Sequence, residues 1–281
     1  MKKVITKLIG LYLNVLSVVA PRRAGRIGFE LFCHPLREKI TERQQEFFNS
    51  AERFTLSYKN EVVQAYKWGN GAKNVLFLHG WQSHTYRWRT YIELLDKEEY
   101  TVYSLDASGH GLSTGKFLTV PIYCDVIKMM MTKIGRVEAI VSHSLGSFTA
   151  IYTLYRNPGL TTQRLVAMAP PGEAKEFFEF YKKSLSLTRK STDLTIRRFE
   201  EVVQQTPDFF SAPYFAAHLT MPGLIIHDED DLETPVENSK RINKSWKGSE
   251  LTIAKGSDHN LKSPEVLNAV IGFVTQPLLS I

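Results

Sequence analysis

No acidic residue occurs among residues 1–26 of this 281-residue chain, whereas Lys2, Lys3, Lys7, Arg22, Arg23 and Arg26 do. Those cations alone match the net charge of +6, so the rest of the chain is balanced. A basic patch on the body, as nucleic-acid binding requires, is therefore not expected. Cysteine is nearly missing. Cys33 and Cys124 have no paired spacing, which excludes a disulfide framework and a cysteine metal site. His79, His110, His227 and the acidic run at 228–233 could converge on a metal, but no H-x-x-x-H or C-x-x-C spacing supports it, so no metal or cofactor is expected. No apolar run reaches the roughly 18 residues of a membrane span. Repeats and low-complexity tracts are also missing. What remains is ordinary globular composition, 43% hydrophobic and 23% charged, in a chain of single-domain α/β size.

The N-terminal segment has a helical period. Lys3, Lys7, Gly10, Asn14 and Ser17 form a narrow polar stripe, and Val4, Ile5, Leu8, Ile9, Leu11, Tyr12, Leu13, Val15, Leu16, Val18 and Val19 fill the other faces. Such a helix suits docking on the protein body or on an anionic membrane surface, with residues 1–26 making a peripheral membrane contact. The competing reading is a secretory signal peptide cleaved after Val18-Val19-Ala20. Pro21 directly after that cut, and Asn14 interrupting the apolar run, favour the docked helix. The expectation is a cytoplasmic protein, peripheral at the membrane, with export as the alternative if residues 1–20 are cleaved.

Residues 27–52 read as helical and complete an N-terminal extension, 1–52. "RFTLSYK" (53–59) and "EVVQAYKW" (61–68) alternate around Asn60, which predicts an antiparallel hairpin. "NVLFLHG", "TVYSLDA", "EAIVSHS", "RLVAMAP", "GLIIHDE" and "ELTIAKG" are near-continuous apolar runs of the kind buried on both faces of a parallel sheet. Helix-length segments separate most of them: 86–95, 123–133, 147–156, 236–244 and 264–274. Strand alternating with helix predicts a doubly wound α/β sheet. Core segments 53–170 and 222–281 then flank an insertion, 171–221, with helical patterns near 173–187 and 195–205. A long insertion of this kind suits a helical cap. Its aromatics, Phe177, Phe178, Phe180, Tyr181, Phe199, Phe209, Phe210, Tyr214 and Phe215, pack the cap onto the core, and a few could line an apolar pocket.

Ligands of open α/β sheets bind at the carboxyl ends of the strands. The predicted strands are followed there by His79-Gly80-Trp81, by Ser108-Gly109-His110-Gly111, by Ser144, by Asp228-Glu229-Asp230-Asp231 and by Asp258-His259. In these motifs and their order the sequence resembles the α/β-hydrolase fold family, in its lysophospholipase-like esterase branch, over about residues 53–281. That resemblance implies a mostly parallel eight-stranded sheet with helices on both faces and a short helical cap. Its nucleophile elbow, G-x-S-x-G, reads Ser142-His143-Ser144-Leu145-Gly146 here, with serine at the first small position. The family order implies Ser144 as nucleophile, an acid at 228–233 and His259 as base. Pro235, four residues on, points to Asp231, with Asp230 second, while Asp228 takes the place of a usual glycine. The resemblance also implies an oxyanion hole from the backbone N–H groups of Trp81 and Leu145. His79, His110, His143 and His227 read as structural; His34, His84 and His218 have no motif context.

The implied activity is a serine hydrolase acting on a small-molecule ester, with an apolar acyl or alkyl group suggested by the aromatic cap. Thioesters, lysophospholipids, amides and peptides are alternatives on the same fold. A silent binder of a small apolar ligand is the alternative from another class, on the strength of Ser142 and Asp228.

Overall fold

The structure is a computed structural model that describes residues 2–277. Eight strands form one sheet: β1 (Glu52–Tyr58), β2 (Glu61–Trp68), β3 (Lys73–Leu78), β4 (Tyr100–Leu105), β5 (Val137–His143), β6 (Thr162–Met168), β7 (Gly223–Asp228) and β8 (Ser249–Ala254). Their order is β1-β2-β4-β3-β5-β6-β7-β8. The β1–β2 hairpin and the β2–β4 pair are antiparallel, and every later pairing is parallel. The helices are α1 (Lys2–Val19), α2 (Pro21–Phe32), α3 (Glu42–Asn49), α4 (Arg89–Leu94), α5 (Val120–Ile134), α6 (Leu145–Arg156), α7 (Ala174–Leu185), α8 (Arg189–Val203), α9 (Ala212–Ala216), α10 (Val236–Ser245) and α11 (Pro264–Thr275).

The chain divides into two compact units, Met1–His34 with Glu173–Ser211, and Pro35–Gly172 with Ala212–Ile281. The larger contains the sheet. Because side chains alternate across a strand, Val75 and Phe77 of β3, Val141 of β5 and Ile226 of β7 share one apolar cluster with Phe48 of α3, Tyr91 and Ile92 of α4, and Val266 and Val270 of α11. Their neighbours Leu76, Leu78, Ile140 and Ile225 are equally buried and face the other way. Both faces are covered, which is why these strands read as continuous apolar runs. The last helix is also tied by charge. Arg164 of β6, buried and 3.7 Å from Glu138, donates to the carbonyls of Phe273 and Gln276 at the C-terminal end of α11. A cation there complements the unpaired carbonyls of that helix end.

In the smaller unit, α1 packs on α7 and α8, and α2 packs on α8. Of the polar stripe of α1, Gly10 and Ser17 are buried and Asn14 is half-buried, while Lys7 is exposed. Asn14 accepts hydrogen bonds from the Thr188 N–H and the Ser191 hydroxyl, each at 2.8 Å, and donates to the Ser186 carbonyl. Gly10 lets α1 approach α7 closely: a Cβ there would sit 1.7 Å from the Leu185 carbonyl oxygen. Phe178, Phe199 and Phe210 stack edge to face inside this unit, with centroids 5.2 and 5.9 Å apart, so these three aromatics of the insertion are core. Phe215 instead belongs to the larger unit, beside Tyr152.

Three expectations from the sequence need correction. Residues 27–52 are not one helix: α2 stops at Phe32, residues 34–40 are irregular, and α3 restarts behind a capping box at Thr41 and Gln44. Pro35 removes a donor and disfavours helical geometry at His34. The segment 86–95 begins as a 3-10 turn, Thr85–Trp88, before α4. The second helix of the insertion starts at Arg189, six residues before the expected 195, because the Thr188 side chain caps it by accepting from the Ser191 N–H.

Candidate active site

Ser144 stands between β5 and α6 with φ 51° and ψ −123°. A non-glycine residue held there costs on the order of 1–3 kcal/mol, so its surroundings must fix it. Its N–H donates to the Met168 carbonyl at 2.8 Å, and its carbonyl accepts from Phe148 N–H at 3.1 Å. The flanking positions must be small. A Cβ on Gly146 would lie 2.6 Å from the carbonyl oxygens of Leu78 and His79. Ser142 fits where glycine is usual because its hydroxyl, fully buried, donates to the Val166 carbonyl of the neighbouring strand at 2.8 Å.

His259 lies in the turn after β8. Its Nε2 accepts from the Ser144 hydroxyl at 3.0 Å, and its Nδ1–H donates to Asp231 Oδ2 at 2.7 Å. The structure thus brings Ser144, His259 and Asp231 into one hydrogen-bonded row. Asp230 is exposed, and its N–H donates to Asp228. Asp231 also accepts from the N–H groups of Glu233 and Thr234, from the Thr234 hydroxyl and from His227. Burial alone would raise its pKa. The hydrogen bonds from His227, His259 and Thr234 outweigh that and hold the carboxyl well below the usual carboxylate range. It is therefore an anion facing His259.

Four further groups position this row; His143 and His227 read as structural from the sequence, whereas Arg87 and Asp228 carried no such reading. His143, beside Ser144, donates from Nε2 to the His259 carbonyl at 2.8 Å, and the two rings meet edge to face at 4.9 Å. Arg87 donates to the next carbonyl, Asn260. Asp228, fully buried, accepts from Asp230 N–H at 3.0 Å and Ser257 N–H at 2.6 Å, so its carboxylate joins the acid loop to the histidine loop. His227 is the fourth: its Nε2–H donates to the Thr234 carbonyl at 2.9 Å and lies 3.1 Å from the Asp231 carboxylate that it shares with His259, while its Nδ1 accepts from Ser239 at 2.6 Å. The only sequence signal for it is its place at a strand end four residues before Asp231. Glu233 is exposed and lies 3.8 Å from His259 Nε2.

The turn after β3 is braced by two more histidines. His79 donates from Nδ1 to the Gly80 carbonyl at 2.7 Å and accepts at Nε2 from Ala107 N–H at 2.9 Å. His110 accepts from Gln82 N–H at 3.1 Å. This turn abuts the serine, since a Cβ on Gly80 would lie 2.9 Å from Ser144 Cβ. Trp81 is thereby held in the turn beside Ser144. Leu145 is the first residue of α6, so its N–H has no carbonyl four residues back within the helix. Asp106 organises the "DASGHGLS" turn by accepting from Thr85 N–H, Leu112 N–H and the Tyr66 hydroxyl, each at 2.9 Å.

Burial pushes the pKa of both His79 and His110 down to about 3, and that of His143 well below the usual imidazole value. These rings stay neutral when folded but gain a proton near pH 6.5 when unfolded. The unfolded state then binds more protons, so each ring removes up to about 1.4 kcal/mol of stability per pH unit between the two pKa values as pH falls. Asp231, with its depressed pKa, keeps its stabilising effect throughout that window. The urea midpoint is therefore expected to change little above about pH 6.5 and to drop steadily from there to about pH 4.5, and a flat profile across that range would contradict burial of neutral rings.

Residues 69–211 match the family described as serine aminopeptidase, S33. Solved structures with the same fold include an α/β-hydrolase enzyme from a Medee basin deep-sea metagenome library, with TM-score 0.63, 17% identity, and coverage of 81% of this chain and 99% of that one. A monoacylglycerol lipase from Paleococcus ferrophilus matches with TM-score 0.58 and 21% identity over 75% of this chain and 98% of the other. A carboxylesterase from Bacillus subtilis matches with TM-score 0.63 and 16% identity over 90% and 99%. No curated protein matches the sequence. The sheet and its helices are those of the α/β-hydrolase fold.

Proposed function

Because the chain belongs to the serine aminopeptidase S33 family of α/β hydrolases, we propose that it is a serine hydrolase cleaving acyl bonds, with an apolar carboxylic ester as its substrate. The observation that carries this reading is the row from Ser144 Oγ through His259 to Asp231, at 3.0 and 2.7 Å, set on a strained turn at a helix start. Ser144 Oγ attacks the acyl carbon as His259 Nε2 takes its proton. The N–H groups of Trp81 and Leu145 receive the oxyanion, aided by the positive end of α6. His259 then protonates the leaving alkoxide, leaving an acyl-Ser144. Water, deprotonated by His259, attacks that ester and releases the acid, and the proton returns to Ser144. Asp231 stays ionised throughout, orienting the ring and stabilising the imidazolium.

The ester preference draws on the lipase and carboxylesterase among the structural neighbours. The second reading is a peptide substrate. It rests on the family's description and on Glu233, whose exposed carboxylate beside His259 Nε2 is suited to an amino terminus. A fluorophosphonate probe is expected to label Ser144. A series of p-nitrophenyl esters from acetate to palmitate, run beside aminoacyl p-nitroanilides, then separates the substrates. Turnover rising with chain length beyond acetate supports the ester reading, and faster cleavage of the anilides supports the peptide one. A protein that takes no label and cleaves neither is a silent binder instead.

A further inference from the structure

An amphipathic helix ordinarily hides its apolar side and shows its polar one. Helix α1 covers Leu13 and Leu16 in that way but turns a second, broader apolar face outwards. Gly10, Leu13 and Ser17 are covered, while Val4, Leu8, Leu11, Val15 and Val18, recurring at steps of four and three, are 55–67% exposed. Ile5, Tyr12 and Val19 widen that face, with Val19 73% exposed. Apolar patches of this extent on a protein surface mark a contact with something apolar.

Charge decides what that something is. Lys7 is exposed on α1, and Arg22, Arg23 and Arg26 are exposed on α2 directly after it, with no acid among residues 1–26. Between α2 and α8 lies a groove of about 570 Å³ lined by Arg22, Arg26, Arg197, Arg198 and Glu201. Arg198 pairs with Glu201 at 2.8 Å, whereas Arg22, Arg26 and Arg197 have no ion-pair partner among the described residues. Guanidinium groups gathered in this way suit phosphate oxygens, which they can grip by paired N–H donors. A second copy of the chain would set one cationic segment against another. An anionic bilayer offers an apolar interior and a negative surface together.

We propose that the helical unit docks on an anionic lipid bilayer, with the outer face of α1 buried at the boundary of headgroups and acyl chains and lipid phosphates held in the arginine groove between α2 and α8. The helix lies along the surface: among the described residues, no helix is long and apolar enough to cross a membrane. Docking of this kind needs no assumption about the reaction at Ser144.

The full chain is tested by co-sedimentation with phosphatidylcholine vesicles, with and without phosphatidylglycerol. At low salt the anionic vesicles are expected to bind it about tenfold more tightly or better, and added salt weakens that binding. The double variant Leu11→Glu, Val15→Glu is expected to lose binding about tenfold or more to either vesicle, since both side chains are exposed. Arg22→Gln with Arg26→Gln and Arg197→Gln is expected to lose the preference for the anionic vesicle. Melting temperatures of both variants are read in parallel, and they stay at the wild-type value. Equal, weak binding to both vesicles overturns the proposal, and so do variants that bind like wild type. Two further results overturn it. One is a homodimer that the Glu variant splits while vesicles are ignored. The other is inorganic phosphate raising the melting temperature of a chain that binds no vesicle.

Discussion

Ser144→Ala is expected to lower kcat/KM on a short p-nitrophenyl ester by about 10⁴-fold to 10⁶-fold while leaving KM within about a factor of three. The change removes one oxygen. The row from His259 to Asp231 does not depend on that atom, since His259 is held by Asp231 at 2.7 Å and by the bond from His143 to its carbonyl. Binding of substrate should therefore persist, and the loss should fall on the chemical step. The strained backbone at residue 144 is fixed by main-chain bonds to Met168 and Phe148 rather than by the hydroxyl, and alanine tolerates such a φ no worse than serine does. The melting temperature is expected to hold. Rate and melting point measured together separate loss of a nucleophile from loss of the fold, and a variant that keeps a tenth of wild-type activity would remove Ser144 from the mechanism.

Asp231→Asn is the other large effect, with kcat expected to fall by about 10⁴-fold. An amide can face His259 Nδ1 with its own NH₂. The ring then carries its proton on Nε2, where it cannot accept one from Ser144. The carboxylate has a second tie, the His227 N–H at 3.1 Å, together with the Thr234 hydroxyl and two main-chain N–H groups. Losing the charge therefore weakens the whole acid loop, and some loss of stability accompanies the loss of rate. Asp230→Asn is the internal control. Asp230 is exposed and does not touch His259, so its kcat is expected to change less than about twofold. Equal effects of the two substitutions would mean that the acid has been misassigned.

The inner sheet was legible because strands covered on both faces must be apolar throughout; the run at 250–256 also became a strand, but β8 lies at the sheet edge and none of its residues is buried. Ser144, Asp231 and His259 were legible as a set because each directly follows one of those runs, and strand ends at one edge of a parallel sheet meet. The partners of the supporting groups were not. His143 and His259 are 116 positions apart and Arg87 and Asn260 are 173 apart, and each pair meets through a backbone carbonyl that leaves no mark on residue type. Asp228 looked like a lost glycine, because its bond to Ser257 lies across two loops. In α1 the period gave the polar stripe but not its partner. Which side of such a helix is covered depends on Gly10 meeting Leu185, a packing fact with no local signature.

The carboxylate of Asp228 has a consequence for anyone who would redesign this protein. Restoring the glycine usual at that position looks like a repair towards the family pattern. It would instead leave the N–H groups of Ser257 and Asp230 without their carboxylate partner, and remove a strut that, beside the Asp231–His259 bond, ties the loop that supplies the acid to the loop that supplies the base. The departure at Asp228 has become part of the framework, so family consensus is a poor guide at the very place where it looks most persuasive.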